Sequence, residues 1–238
     1  MMKRLLSTLC VAAGLMASAS VSAQTAQLVY NENAVGQTIA GKLITDIYKK
    51  AGMSATAVPV PGVRANAMAL SGEKDGEAGR IGAYYLKNPT LIKVEPSHYY
   101  LSSSAFAKKD KGIVIKSKED LKKYKVGIVR GIAHGEAATE GMQGVQLAAS
   151  YEQLYKMLDG DRIDVVVDEG ISGPILLKKL GMSNTIGHVG EIARLDLYHS
   201  LNPSKKDWAP KISATIKAMK DSGELDKLVK RYEEEAMK

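Results

Sequence analysis

Short β-type runs alternate with helical stretches from Gln27 to Leu180, an order that leaves few folds open. Repeated strand–helix units imply parallel strands with helices packed on the faces of the sheet. Gln27 to Tyr30 is the first strand, and Asn31-Glu32-Asn33 is a turn able to cap the helix that follows. Ile39, Leu43, Ile44, Ile47 and Tyr48 recur at helical spacing until Gly52 stops the pattern. Thr56 to Val60 is a second strand, Pro61-Gly62 a turn, and Ala65 to Leu70 a helix closing at Gly72. Leu91 to Val94 and Ser102 to Ala107 read as two further strands.

A second set of units begins after the charged turn Lys108-Lys109-Asp110-Lys111. Ser117 precedes two acids as a helix cap would, Lys125 to Val129 is a buried-type strand, and Gly131 to Gly135 leads into a helix over Glu136 to Met142. Val145 to Ala148, Tyr151 to Leu158, Ile163 to Val167 and Ile171 to Leu180 continue the alternation. His188 to Leu201 reads as strand and crossover, and two helices, Trp208 to Ser222 and Glu224 to Ala236, end the chain. The predicted class is α/β in two lobes.

Residues 1–23 differ from the rest. A basic start at Lys3-Arg4, an apolar run from Leu5 to Ala17 and the small residues of Val21-Ser22-Ala23 form the pattern of a cleavable signal peptide, too short in its apolar part to span a bilayer. A periplasmic location is expected. Cys10, the only cysteine, lies in that segment, so the exported chain would hold no disulfide, thiolate metal site or thiol nucleophile. The formal charge is +7, yet lysines such as Lys217, Lys220, Lys227 and Lys230 alternate with acids, which makes a solvated face rather than a nucleic-acid stripe. The four histidines have no metal-ligand spacing, and neither a nucleophile elbow nor HExxH occurs. Neither metal nor cofactor is predicted, and the chain is read as a monomer without enzymatic activity.

Gly72-Glu73-Lys74-Asp75, Lys118-Glu119-Asp120-Leu121, Val126 to Gly131, Gly160 to Asp164 and Lys220-Asp221-Ser222-Gly223 stand in order along the chain. With them the sequence resembles the family 3 periplasmic solute-binding proteins, which serve amino-acid ABC importers. The resemblance implies the two-lobed type II binding-protein fold, each lobe a mostly parallel sheet, joined by a two-strand hinge. It places one lobe over 24–105 plus 195–238 and the other over 108–187, with the hinge near 105–108 and 188–195. A small carboxylate-bearing solute would sit between the lobes, delivered to an ABC permease or reported to a sensor receptor. A dehydratase of the cyclohexadienyl type on the same fold is the enzymatic alternative.

The residues themselves nominate a site. Arg80 leaves a small-residue strand beside Gly76, Gly79 and Gly82, where its guanidinium could clamp a carboxylate or pair with Glu77. Arg64, after the Pro61-Gly62 turn, is a second cation. In the family the clamping arginine follows the turn aspartate by twelve residues, which here gives Lys87. Gly131, Ile132, Ala133 and His134 start a helix, where free N–H groups favour an anion. The resemblance assigns Asp168 or Glu169 to a ligand ammonium. Tyr30 and Asn31 are expected at the cleft mouth, with Tyr84 as an aromatic floor and Met142, Met157 and Met182 as packing.

Overall fold

The structure is a computed structural model and describes residues 25–32 and 34–238. The expected signal peptide and Asn33 of the expected cap lie outside the described residues. The order is β1 (Ala26–Asn31), α1 (Val35–Lys50), β2 (Ala55–Val60), α2 (Gly62–Ser71), β3 (Gly76–Ile81), α3 (Tyr84–Lys87) and β4 (Ile92–Lys108). Then come β5 (Val126–Val129), α4 (Ala133–Ala138), β6 (Gln146–Ala148), α5 (Tyr151–Asp159), β7 (Val165–Glu169), α6 (Ser172–Lys179), β8 (Ile186–Leu201), α7 (Ala209–Asp221) and α8 (Glu224–Ala236).

All eight strands form one sheet in the order β2-β1-β3-β8-β4-β7-β5-β6. β1 pairs in parallel with β2 and β3, and β5 in parallel with β6 and β7, while β4 and β8 run antiparallel to each other through the middle. Pro59 sits in β2, an edge strand, where a missing N–H costs no ladder bond. Cores lie on both sides of the centre. Leu43, Ile44 and Ile47 of α1 pack with Ile212 and Ile216 of α7 and Leu225 of α8 under one half of the sheet. Leu154 and Leu158 of α5 and Leu177 of α6 pack on Phe106 and Val166 under the other, whose opposite face holds Leu121, Ile128 and Val167.

The same device opens both halves. Asp75, just before β3, accepts from the Gln27 N–H (2.7 Å) and donates its own N–H back to the Gln27 carbonyl (2.9 Å). Asp164, just before β7, does the same with Lys125 at 2.8 Å each way. Each aspartate therefore fastens a crossover strand to the start of the strand it returns beside. Gly72, in the left-handed region at φ 80°, ends α2 and lets the chain turn into the first of these.

Several local expectations change. The two strands predicted at Leu91 to Val94 and Ser102 to Ala107 are parts of the single β4, and His188 to Leu201 is one strand, because each has the other as a partner along its length. Ser117 precedes a 3-10 turn and makes no side-chain cap; the working cap is Ser150, which accepts from Gln153 N while Gln153 Oε1 accepts from Ala149 N. The helix predicted over Glu136 to Met142 is the earlier and shorter α4. β4 already pairs with β7 at Ser103 to Phe106, and Ala105 and Phe106 are buried in the second half's cores.

Candidate functional site

Parallel strands of the two halves end at polar clusters, the usual place for a ligand on an open α/β sheet. In the first half the cluster is built from the end of β3, the start of α2 and α3. Side chains three apart on a regular strand point to opposite faces, yet Glu77 and Arg80 meet. A bulge makes this possible: Glu77 opposes Ser200 and Arg80 opposes Tyr198, so β3 carries one residue more than β8 across that interval. Arg80 Nη2 then lies 3.0 Å from Glu77 Oε1, and Nε bonds Oε2. Nη2 also donates to the Gly62 carbonyl at 3.3 Å, and the guanidinium lies 4.7 Å from the Tyr84 ring centre.

Glu77 is 1% exposed, so this is a buried, doubly bonded pair. The open guanidinium fork expected at Arg80 is filled by Glu77, the alternative partner the sequence offered. Tyr84 belongs to α3, and its hydroxyl donates to Asn66 Oδ1 at 2.5 Å. Arg64 and Lys87 are exposed on α2 and α3, and neither has an ion-pair partner among the described residues. Val63 and Leu86, beside them in sequence, are 88% and 85% exposed. Tyr30 and Asn31, expected together at the mouth, point to opposite faces as strand neighbours must. The Tyr30 ring packs on α1 at Gly41, where a Cβ would come within 2.8 Å of it, while the Asn31 amide lies over Gly62.

In the second half, Asp168 and Glu169 end β7 and also diverge. Asp168 is fully buried and turned toward α5; its Oδ2 accepts from Tyr155 at 3.0 Å and its Oδ1 from the Glu169 N–H at 2.6 Å. Burial pushes its carboxyl up to about 7, against those two hydrogen bonds. Glu169 is turned toward the first half. Its Oε2 accepts from Ser172 at 2.5 Å, and Oε1 lies against the Gly36 backbone at the start of α1, whose N–H, like Ser172, favours the charged form. Burial raises this carboxyl too.

The turn expected to cradle an anion has another use. The Gly131 N–H donates to Glu136 Oε1 at 2.9 Å and the Ile132 N–H to the Val129 carbonyl at 3.3 Å, so the helix acid occupies the donor a ligand would need. Ala133 begins α4, which has six residues. His134 Nε2 lies 3.1 Å from the Tyr151 hydroxyl, and burial lowers this imidazole to about 4, which keeps it neutral near neutral pH. Asn66, Tyr151, Tyr155 and Ser172 escaped the sequence reading; only Ser172, three residues after Glu169, had a positional signal. Among the described residues no cluster of His, Cys, Asp and Glu could hold a metal ion, and no helix is long and apolar enough to cross a membrane.

No family model matches the chain. An uncharacterized protein of Shewanella oneidensis is 30% identical over 183 residues, covering 74% of this chain and 67% of the relative. Among solved structures, an amino acid ABC transporter substrate-binding protein of Streptococcus pneumoniae bound to L-arginine superposes with a TM-score of 0.64 at 16% identity, over 90% of this chain and 96% of that one. The L-cystine solute receptor of Neisseria gonorrhoeae, unliganded and open, gives 0.67 at 18% identity, over 89% and 93%. A histidine kinase sensor domain with similarity to periplasmic binding proteins gives 0.64 at 17%, over 88% and 96%. The chain therefore belongs to one family with the Shewanella oneidensis protein and has the periplasmic-binding-protein fold.

Proposed function

We propose that this protein is an exported solute-binding protein of the family 3 type, which captures a small polar solute between two lobes and carries no enzymatic activity. The observation that carries the reading is the central strand pair. β4 and β8, of 17 and 16 residues, run through both halves, with a hydrophobic core to each side and polar clusters at the strand ends. Two long strands between two rigid cores are the part that bends in a hinged closure. The ligand is a small amino acid or related acid: Arg64 and Lys87 supply cations at one rim, and the Asp168–Glu169 end supplies acids for an ammonium. An ABC permease is the partner, with the sensor-domain likeness favouring a membrane receptor as the second reading.

The test is native mass spectrometry of the protein as purified, followed by thermal melts against the common amino acids and small carboxylic acids. A cognate solute at about 100 times its Kd adds about 2.7 kcal/mol, which for a chain this size raises Tm by roughly 5–10 °C. Absence of any retained solute together with no stabilisation by any compound overturns the proposal.

A further inference from the structure

His199 of β8 is wholly buried, yet both of its ring nitrogens have partners. Nδ1 lies 2.9 Å from the Glu77 carbonyl, and Nε2 lies 3.0 Å from the hydroxyl of Tyr48, which is equally buried on α1. A carbonyl can only accept, so Nδ1 carries the proton; Nε2 is then bare and accepts from Tyr48. The two bonds select the neutral Nδ1–H tautomer. His199 also stands in the irregular interval of the sheet, since Glu77 opposes Ser200 and Arg80 opposes Tyr198. A bulge interrupts the ladder, and buried backbone groups there need partners from elsewhere. His199 supplies one to Glu77, the residue whose carboxylate holds Arg80.

Two elements of the first-half cluster depend on this interval. α3 has four residues and buries none of them, so packing does not fix it. Hydrogen bonds do. The Tyr85 hydroxyl lies 3.1 Å from the Tyr198 carbonyl and 3.3 Å from the His199 carbonyl, sharing its one proton between them, and the Tyr84 hydroxyl ties α3 to Asn66 of α2. The start of α2 is held in turn by Arg80 through the Gly62 carbonyl.

We propose that His199 is a positioning residue for the solute site. Its ring fixes the bulge that aims Arg80 at the start of α2, and its own carbonyl anchors α3, so one buried residue sets both elements that carry Arg64 and Lys87. The assignment rests on the reading of these elements as one wall of that site.

The test begins with nitrogen-15 NMR of the full chain labelled at histidine, the His199 signals being identified by their loss in His199→Asn. Nδ1 appears as the protonated nitrogen and Nε2 as the bare one. Hydrogen exchange read by mass spectrometry is the second measurement. His199→Leu speeds exchange across residues 62–66 and 82–88 by roughly tenfold while α1 and α7 keep the parent's rates, and His199→Asn, which keeps a donor toward Glu77, restores most of the protection. Tyr85→Phe leaves the buried histidine in place and loosens 82–88 alone, which tests the anchor even where His199→Leu does not fold. A protonated Nε2, a uniform rise over the first half that includes α1 and α7, no rescue by His199→Asn, or unchanged exchange at 82–88 in Tyr85→Phe overturns the assignment. Neither measurement involves a solute, so failure to bind any compound and failure of this assignment are separate results.

Discussion

Arg80→Ala separates a structural arginine from a ligand clamp. Removing the guanidinium leaves the Glu77 carboxylate, 1% exposed, without its cation. Breaking one partner of a buried pair costs about 3–5 kcal/mol, and because the Arg80 side chain is 19% exposed the lower end applies, about 3 kcal/mol. At 2–4 °C per kcal/mol for a chain of this length, Tm falls by about 6–12 °C. Arg80→Lys keeps the charge but not the two parallel bonds, so it loses roughly half as much. Glu77→Gln/Arg80→Gln leaves no buried charge and recovers at least half of the loss, a coupling that a double-mutant cycle in urea measures directly. The opposite pattern, an unchanged melt for Arg80→Ala with solute binding abolished, would mean that Glu77 does not hold Arg80 and that the guanidinium is free for a ligand.

Acidification has two opposing effects. His98, His134 and His199 are held neutral by burial at about 3, 4 and 4, so the stability they contribute is complete above 6.5 and declines as pH falls from there toward those values. Asp168, raised to about 7, works the other way: its folded form binds a proton the unfolded form lacks between about 4 and 7, so stability rises as pH falls across that window. Melts from pH 7 to 4 should show a net loss that is steeper in Asp168→Asn, and parallel curves would count against the burial of Asp168. Asp75→Ala and Asp164→Ala each lose a charged acceptor for a backbone N–H and cost about 1.5–3 kcal/mol. Because they lie in opposite halves, their urea midpoints should shift additively if each aspartate only fastens its own crossover. A Cβ at Gly36 would come within 2.1 Å of Glu169 Oε1 and 2.6 Å of Leu101 Cδ2, so Gly36→Ala costs about 1–3 kcal/mol by overpacking. In a Glu169→Ala background the same change should cost less than half as much; an equal cost would place the strain elsewhere.

Interactions close in sequence were legible from the chain alone. The alternation of strands and helices and the stop after α2 at Gly72 follow from periodicity and turn chemistry, which act within a few residues. The candidate site was legible only as a set of residue types at strand ends. Which way Asp168 and Glu169 point was open, because that depends on α5 and α1 arriving from elsewhere. Likewise, β4 is continuous because β8, far along the chain, lies beside it, and neither run betrays this alone. The fate of Arg80 turns on one extra residue in β3, which exists only against the register of β8. The sequence leaves Arg80 between a ligand carboxylate and Glu77; on a regular strand the two would face opposite ways, and the tertiary pairing reverses that parity and joins them, because register is a property of two strands and not of one.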